Sequence, residues 1–270
     1  GLIRRKLEEE GLADDVKLNI IPMGGSFDLG PFRITYVALA HSIPEGNALV
    51  IDTPHGRLFH TGDWKLDAKP ILGDPASAAE LAEIGANNGK GTLALIGDST
   101  NVFNAEPSGS ESQVFEGLMN LVKSRKRGRV VVTTFASNAT RIHTLGEVAK
   151  ATGRRLVVAG RSLDRIIAVA RSTGYLKDFP ETLSQDAAGD AAPESLLIVV
   201  TGTQGEPQAA LAKIADGNHP YIKLQAGDLV VYSSKQIPGN EVAIGRIMNQ
   251  LAAKDVLTVT EKQAHIHVSG

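Results

Sequence analysis

Apolar and polar positions alternate in short runs through the first part of the chain, then give way near residue 110 to longer apolar runs separated by amphipathic stretches. The first part predicts a helix over residues 1–11, stopped by Gly11, and short strands at 16–22 and 27–32 around Gly24-Gly25. Further strands are predicted at 34–39, 48–52 and 57–60, where Val, Ile, Leu and Tyr favour a pleated, half-buried backbone and Thr53-Pro54-His55-Gly56 punctuates. Residues 70–88 contain an Ala-rich helix started by Asp74-Pro75. A buried strand is expected at 92–96, running out into Gly97-Asp98-Ser99-Thr100-Asn101.

Beyond Ser108-Gly109-Ser110-Glu111-Ser112 the rhythm becomes strand, helix, strand. Helices are predicted at 110–127, capped by Ser110, and at 139–152, 163–172 and 207–215. Strands are predicted at 129–134, 155–158, 196–200 and 229–232, with an Ala/Gly/Asp/Pro-rich loop at 186–193. Such alternation reads as a parallel α/β sheet, so the class is α/β, with a domain boundary near residue 110. No fixed-period repeat is present.

Composition narrows the chemistry. The 270 residues are 42% apolar, enough to bury a sizeable core. With no cysteine there is no disulfide scaffold and no thiolate metal site, so a bound metal would rest on histidine and carboxylate. A net charge of −2 does not announce nucleic-acid binding; that would need a local basic groove. No apolar run of about 18 residues and no leading signal pattern appear, which sets a cytoplasmic protein without a membrane partner as the expectation. The opening Gly1-Leu2-Ile3 lacks a start methionine and the chain closes on Val268-Ser269-Gly270, so a fragment of a longer protein is expected.

Several polar residues fall just past predicted strands. His41 and Asp63 each do so, and an imidazole with a carboxylate at a sheet edge suits a metal such as zinc. Asp98 follows the strand at 92–96 and also suits a turn that it caps with its own side chain. Ser137 and Asn138, Arg161 and Ser162, Thr203 and Gln204, and Ser233 and Ser234 occupy four strand-to-helix turns. Such turns point free N–H groups at anions and converge at the carboxyl ends of parallel strands. Ser137 or Asn138 also reads as a plain helix cap. His265, His267 and Ser269 would share one face of a strand. The basic run Lys123, Arg125, Lys126, Arg127 and Arg129 reads first as a solvated helix end.

The phrases His41-Ser42-Ile43-Pro44-Glu45 and Phe59-His60-Thr61-Gly62-Asp63-Trp64-Lys65-Leu66-Asp67 resemble metal-ligand motifs of the metallo-β-lactamase superfamily, in the wording of the ribonuclease J family of its β-CASP branch. Asp98-Ser99-Thr100-Asn101, the four turns, and His267-Val268-Ser269-Gly270 match that family in order. The resemblance implies a partial metallo-β-lactamase αββα sandwich over residues 1–110, a parallel α/β β-CASP domain over 111–262, and a return strand at 263–270. It implies a ribonuclease with 5′-to-3′ exonuclease and endonuclease activity in bacterial RNA decay and rRNA processing. Two zinc ions are implied, His41 binding one and Asp63 bridging both. Asp98 is implied as the acid supporting a catalytic histidine, and Ser233, Ser234, His267 and Ser269 as holders of an RNA phosphate. Ser137, Asn138, Arg161, Ser162, Thr203 and Gln204 become candidate RNA contacts, and a homo-oligomer stays open as a further partner. The family's His-x-His-x-Asp-His run and the last histidine of its final phrase are absent here, so an inactive core with weak zinc binding is expected. The alternatives are another metallo-β-lactamase-fold hydrolase, acting on thioesters or lactams, and a non-catalytic RNA-binding fragment.

Overall fold

A computed structural model describes residues 1–67 and 69–268. The chain is an α/β protein with two sheets, one of five strands and one of six. It divides into two compact units, residues 1–110 and residues 111–268.

The first unit begins with helix α1 (Leu2–Glu9), which buries none of its residues. Its sheet runs in the order β1 (Ser26–Leu29), β2 (Phe32–Ala38), β3 (Asn47–Thr53), β4 (Gly56–His60), β5 (Ala94–Ile96). The first four strands pair antiparallel as a meander, and β5 joins β4 in parallel. Strands β2, β4 and β5 therefore run the same way, and their carboxyl ends lie along one edge of the sheet. The core here is small: Val37, Leu39, Ala48 and Val50, with Phe59, Trp64, Ala76, Leu81 and Ile84 packed against it.

Three expectations for this unit differ from the structure. Residues 16–22 form no strand; Pro22 and the exposed Ile20 offer neither a ladder donor nor a buried face. The helix of the 70–88 stretch, α2 (Ala78–Ala86), starts four residues later than Asp74, because Ser77 and Glu80 form a reciprocal capping box. Strand β5 is exposed at every position rather than buried.

In the second unit the strands are β6 (Val130–Thr133), β7 (Arg155–Ala159), β8 (Thr182–Leu183), β9 (Leu196–Val200), β10 (Leu229–Tyr232) and β11 (Leu257–Val259), all parallel in the order β11-β10-β6-β9-β7-β8. Its helices are α3 (Glu111–Ser124), α4 (Ala139–Thr152), α5 (Arg161–Ser172), α6 (Gln185–Asp190), α7 (Ala210–Ala215) and α8 (Glu241–Ala252). Central strands buried on both faces read as unbroken Val/Ile/Leu runs, which is why 196–200 and 229–232 were legible to the residue. Alternate residues of each strand face opposite cores: Val130 and Val132 join α3, α4 and α5, while Val131 packs with α7 and α8. The expected loop at 186–193 begins instead as α6, β8 and β11 were not anticipated, and α8 is the helix that the fourth strand-to-helix turn implied without bounds. Residues 264–268 form no strand; they lie on the α3 and α4 side, with Ile266 fully buried in that core.

Strands β6 and β10 are neighbours, yet the helices after them, α4 and α8, cover opposite faces of the sheet. In open α/β sheets such a divergence marks the strand ends where ligands bind.

Candidate functional site

In the first unit, His41, Asp63 and Asp98 follow the carboxyl ends of β2, β4 and β5. The turn after β4 is stitched to both neighbours. The Thr61 N–H donates to the Ile96 carbonyl (2.9 Å), Lys65 N–H donates to the Ala40 carbonyl (2.9 Å), and the Trp64 indole donates to the Asp98 carbonyl (3.3 Å). The buried Thr61 hydroxyl accepts from Asp98 N–H at 3.1 Å. Asp98 caps its own turn, accepting from the Thr100 N–H (3.0 Å) and hydroxyl (2.6 Å). Those bonds, the hydroxyl foremost, hold its carboxyl below the usual carboxylate range, and the charge of His41 acts in the same direction. The structure thus shows Asp98 as the cap of its own turn. His41 takes Ser42 as a ring partner, Nδ1 to Oγ at 3.1 Å, and Asp63 is exposed.

Among the described residues no group of three or more His, Cys, Asp or Glu could hold a metal ion. A water-activating zinc site takes about three protein ligands plus an open position. His41 and Asp63 alone fall short of that number.

In the second unit the four turns do different things. Asn138 caps α4, its Oδ1 accepting from Arg141 N–H at 2.8 Å, while Ser137 beside it is exposed. Arg161 and Ser162 open α5 and are exposed. Gln204 is buried and clamps the loop after β10: its Oε1 accepts from Ile237 N–H (2.9 Å) and the Asn240 amide (3.1 Å), and its amide donates to the Lys235 carbonyl (3.0 Å). Thr203 is buried and its hydroxyl accepts weakly from Gln204.

Ser233 is turned inward. Its hydroxyl donates to the Ile266 carbonyl at 2.6 Å and accepts from Arg141 Nη1. Arg141, a residue that sequence reasoning passed over, is fully buried. It forms a forked pair with Glu111 at 3.1–3.2 Å and donates to the Ser233 and Ile266 carbonyls at 3.1 and 3.0 Å. This one guanidinium ties α3, the turn after β10 and the returning segment to α4. Ser234 is buried, His267 is half-buried, and Ser269 lies outside the described residues. Nothing in the sequence marks Arg141 as buried, since arginine inside a helix normally reads as surface.

Within the basic run Lys123, Lys126 and Arg127 are exposed, as a solvated stretch would be, whereas Arg125 and Arg129 are used structurally at the amino end of the sheet. Arg129 pairs with the buried Asp228 at 3.3 Å, Arg125 donates to the Gly227 carbonyl at 2.7 Å, and Arg154 holds the Arg125 and Gly128 carbonyls. At the carboxyl edge, by contrast, the Thr133, Thr134 and Tyr232 hydroxyls are buried without a hydrogen-bond partner among the described residues.

Comparison with known proteins places these observations. Residues 127–251 match the family model "Ribonuclease J, beta-CASP domain". The chain is 40% identical over 270 residues to a ribonuclease J of Sinorhizobium meliloti, covering all of this chain and 47% of that protein. It is 38% identical over 273 residues to a ribonuclease J of Synechocystis, covering all of this chain and 42% of that one. The chain thus spans somewhat under half the length of these curated relatives. A solved structure from Enterococcus faecalis V583, titled a protein of unknown function, shares the fold with a TM-score of 0.62 at 15% identity, over 94% of this chain and 56% of that one. No described helix is long and apolar enough to cross a membrane.

Proposed function

We propose, on the premise that this chain is a relative of ribonuclease J carrying its β-CASP domain, that the full-length protein hydrolyses phosphodiester bonds in RNA. The observation that carries this reading is 40% identity sustained over all 270 residues to a protein of that name. In this reading residues 1–110 are part of a metallo-β-lactamase domain and residues 111–262 the β-CASP domain. The activity is 5′-to-3′ exonucleolytic and endonucleolytic, serving RNA decay and rRNA processing in the cytoplasm. Zinc dependence is typical of the β-CASP family; when bound, zinc supplies hydroxide near neutral pH. His41 and Asp63 are the donors this chain would contribute, short of a complete set.

What the chain's own residues do is hold RNA. Exposed Ser137, Arg161 and Ser162 stand at the carboxyl edge of the parallel sheet, where helix amino ends favour phosphate. Ser234 and His267 are the remaining phosphate candidates, with Ser269; Ser233 has its hydroxyl committed to Arg141 and Ile266. Asp98, kept ionised, serves as an acceptor that orients a histidine supplied by the full-length protein.

The absence of a metal-holding group among the described residues favours a second statement about these 270 residues alone: they bind RNA without cleaving it. The test measures bound zinc and turnover of a 5′-monophosphorylated RNA by this chain and by the full-length protein in parallel. Full-length turnover with no detectable cleavage and substoichiometric zinc in the short chain is expected. Stoichiometric zinc and matching turnover in the short chain would show that the ligand set is complete here. No turnover by either would overturn the ribonuclease reading.

A further inference from the structure

A cleft of about 160 Å³ opens at the carboxyl ends of β10 and β11, within the second unit. It is lined by Ile244 and Met248 of α8, by Tyr232 of β10, and by Thr203, Ser234 and Gln236 from the turns after β9 and β10. Tyr232 is 3% exposed, and its phenol oxygen is buried with no hydrogen-bond partner among the described residues. A buried hydroxyl left unpaired is costly and rare, so it calls for an explanation.

We propose that this cleft is a base-binding site, taking one nucleobase of single-stranded RNA with its ring against Ile244 and Met248 and its edge on the Tyr232 hydroxyl and the Gln236 amide. The proposal rests on RNA being the substrate; of the described phosphate candidates only Ser234 borders the cleft, while His267, Arg161 and Ser162 are not in its lining. Size is the first argument. Pockets for drug-sized ligands run to roughly 300–1,000 Å³; this one suits a single heterocycle. Polarity is the second. A phenol and a carboxamide each both donate and accept, which matches a base edge carrying donors and acceptors. A phosphate accepts only, and gains nothing from the Ile244 and Met248 wall. The third is charge. Glu261 stands in the lining beside Lys262, which leaves the cleft without a clear preference for an anion. Burial pushes the Tyr232 phenol further up from its already high range, so the group stays a neutral donor throughout the working pH range. Recognition of unstacked bases through their edges is how single-stranded RNA is read.

The test labels the Ile244 and Met248 methyl groups of the full chain for NMR. It titrates adenosine, guanosine, cytidine and uridine, with inorganic phosphate as the comparison. Binding of an RNA oligomer is followed in parallel by fluorescence anisotropy. At least one nucleoside is expected to move both methyl signals while phosphate leaves them in place. Tyr232→Phe, which keeps the ring and removes only the unpaired hydroxyl, is expected to weaken that nucleoside by roughly 3–10-fold while leaving the melting temperature equal or higher. Phosphate moving the methyls in place of nucleosides would overturn the proposal. So would a Tyr232→Phe variant that binds nucleoside as tightly as the parent. RNA binding that persists with unmoved methyls sinks the base site alone and leaves the RNA reading standing. Loss of RNA binding with nucleoside still moving the methyls keeps the cleft and removes the reading it was built on.

Discussion

At the scale of single residues, His219 carries a pH dependence whose sign follows from its partners. It is buried in the loop between α7 and β10, and its Nδ1 accepts from the backbone N–H groups of Tyr221 (3.4 Å) and Ile222 (3.1 Å). Protonation at Nδ1 would turn an acceptor into a donor facing two donors. Burial first, then the charges of Lys223 and Lys213, push its pKa below the ordinary histidine value. His143 on α4 is shifted the same way by burial. A histidine with a depressed folded pKa leaves the unfolded chain binding more protons. Its stability contribution is therefore complete above the unfolded pKa of about 6.5 and drains away as pH falls through that value towards the folded one. Thermal unfolding is expected at a lower temperature at pH 5.5 than at pH 7.5, a window above most carboxylate titration. His219→Asn keeps an acceptor near Nδ1 without a titrating proton and should narrow the difference. An undiminished difference in that variant would remove His219 from the explanation. The same scale shows what was legible of the candidate site. That His41 and Asp98 follow strand ends could be read from the chain itself. The inward turn of Ser233 could not, because it depends on Arg141, which reaches it across 92 positions of sequence.

At the scale of elements, the sequence spoke clearly where one local signal dominated. Helix α4 was read from residue 139 to residue 152, with Asn138 to start it and Gly153 in the left-handed conformation to stop it. Helix α8 was implied only by the strand-to-helix turn before it and was given no bounds, although Ile244, Ile247 and Leu251 recur at helical spacing and are its buried residues. The exposure of β5 was unreadable, since Leu95 and Ile96 look buried in any sequence-based account. The path of residues 264–268 is fixed by packing instead. A Cβ on Gly117 of α3 would stand 1.9 Å from the His265 carbonyl oxygen, whereas one on Gly245 of α8 meets nothing within 4 Å. Gly117→Ala is accordingly expected to cost about 1–3 kcal/mol through overpacking, despite the better helix propensity of alanine. Gly245→Ala should gain roughly 0.5–1 kcal/mol from propensity alone. Urea unfolding of the two variants beside the parent decides the matter. Equal gains from both would mean that residues 264–268 do not hold the described path.

At the scale of the whole molecule, the two units differ in how much they bury. Both faces of the parallel sheet in residues 111–268 carry extended cores, centred on β6, β9 and β10, whose residues are buried throughout. Among the described residues, the sheet of residues 1–110 rests on four buried apolar side chains, and its last strand is exposed along its length. Burial of apolar surface contributes about 25 cal/mol per Å², so the second unit holds most of the stabilisation, and local opening should be graded accordingly. Hydrogen exchange is expected to leave the amides of Val130–Thr133, Leu196–Val200 and Leu229–Tyr232 protected longest. Those of Asn47–Thr53 should exchange roughly tenfold faster or more, and those of Ala94–Ile96 fastest of all the strands. Denaturant unfolding should accordingly show two transitions, the first reported by Trp64, which packs in the small core. The chain has no other tryptophan, so its fluorescence isolates that unit. A single transition, with Trp64 fluorescence and the far-ultraviolet signal moving together and the two sheets exchanging alike, would mean that the small core is stabilised beyond what its four side chains explain. On the proposed RNA reading, the phosphate candidates Ser137, Arg161 and Ser162 all belong to the second unit, so RNA binding is expected to persist at denaturant concentrations where the Trp64 transition is already complete; loss of binding together with that transition would overturn this assignment.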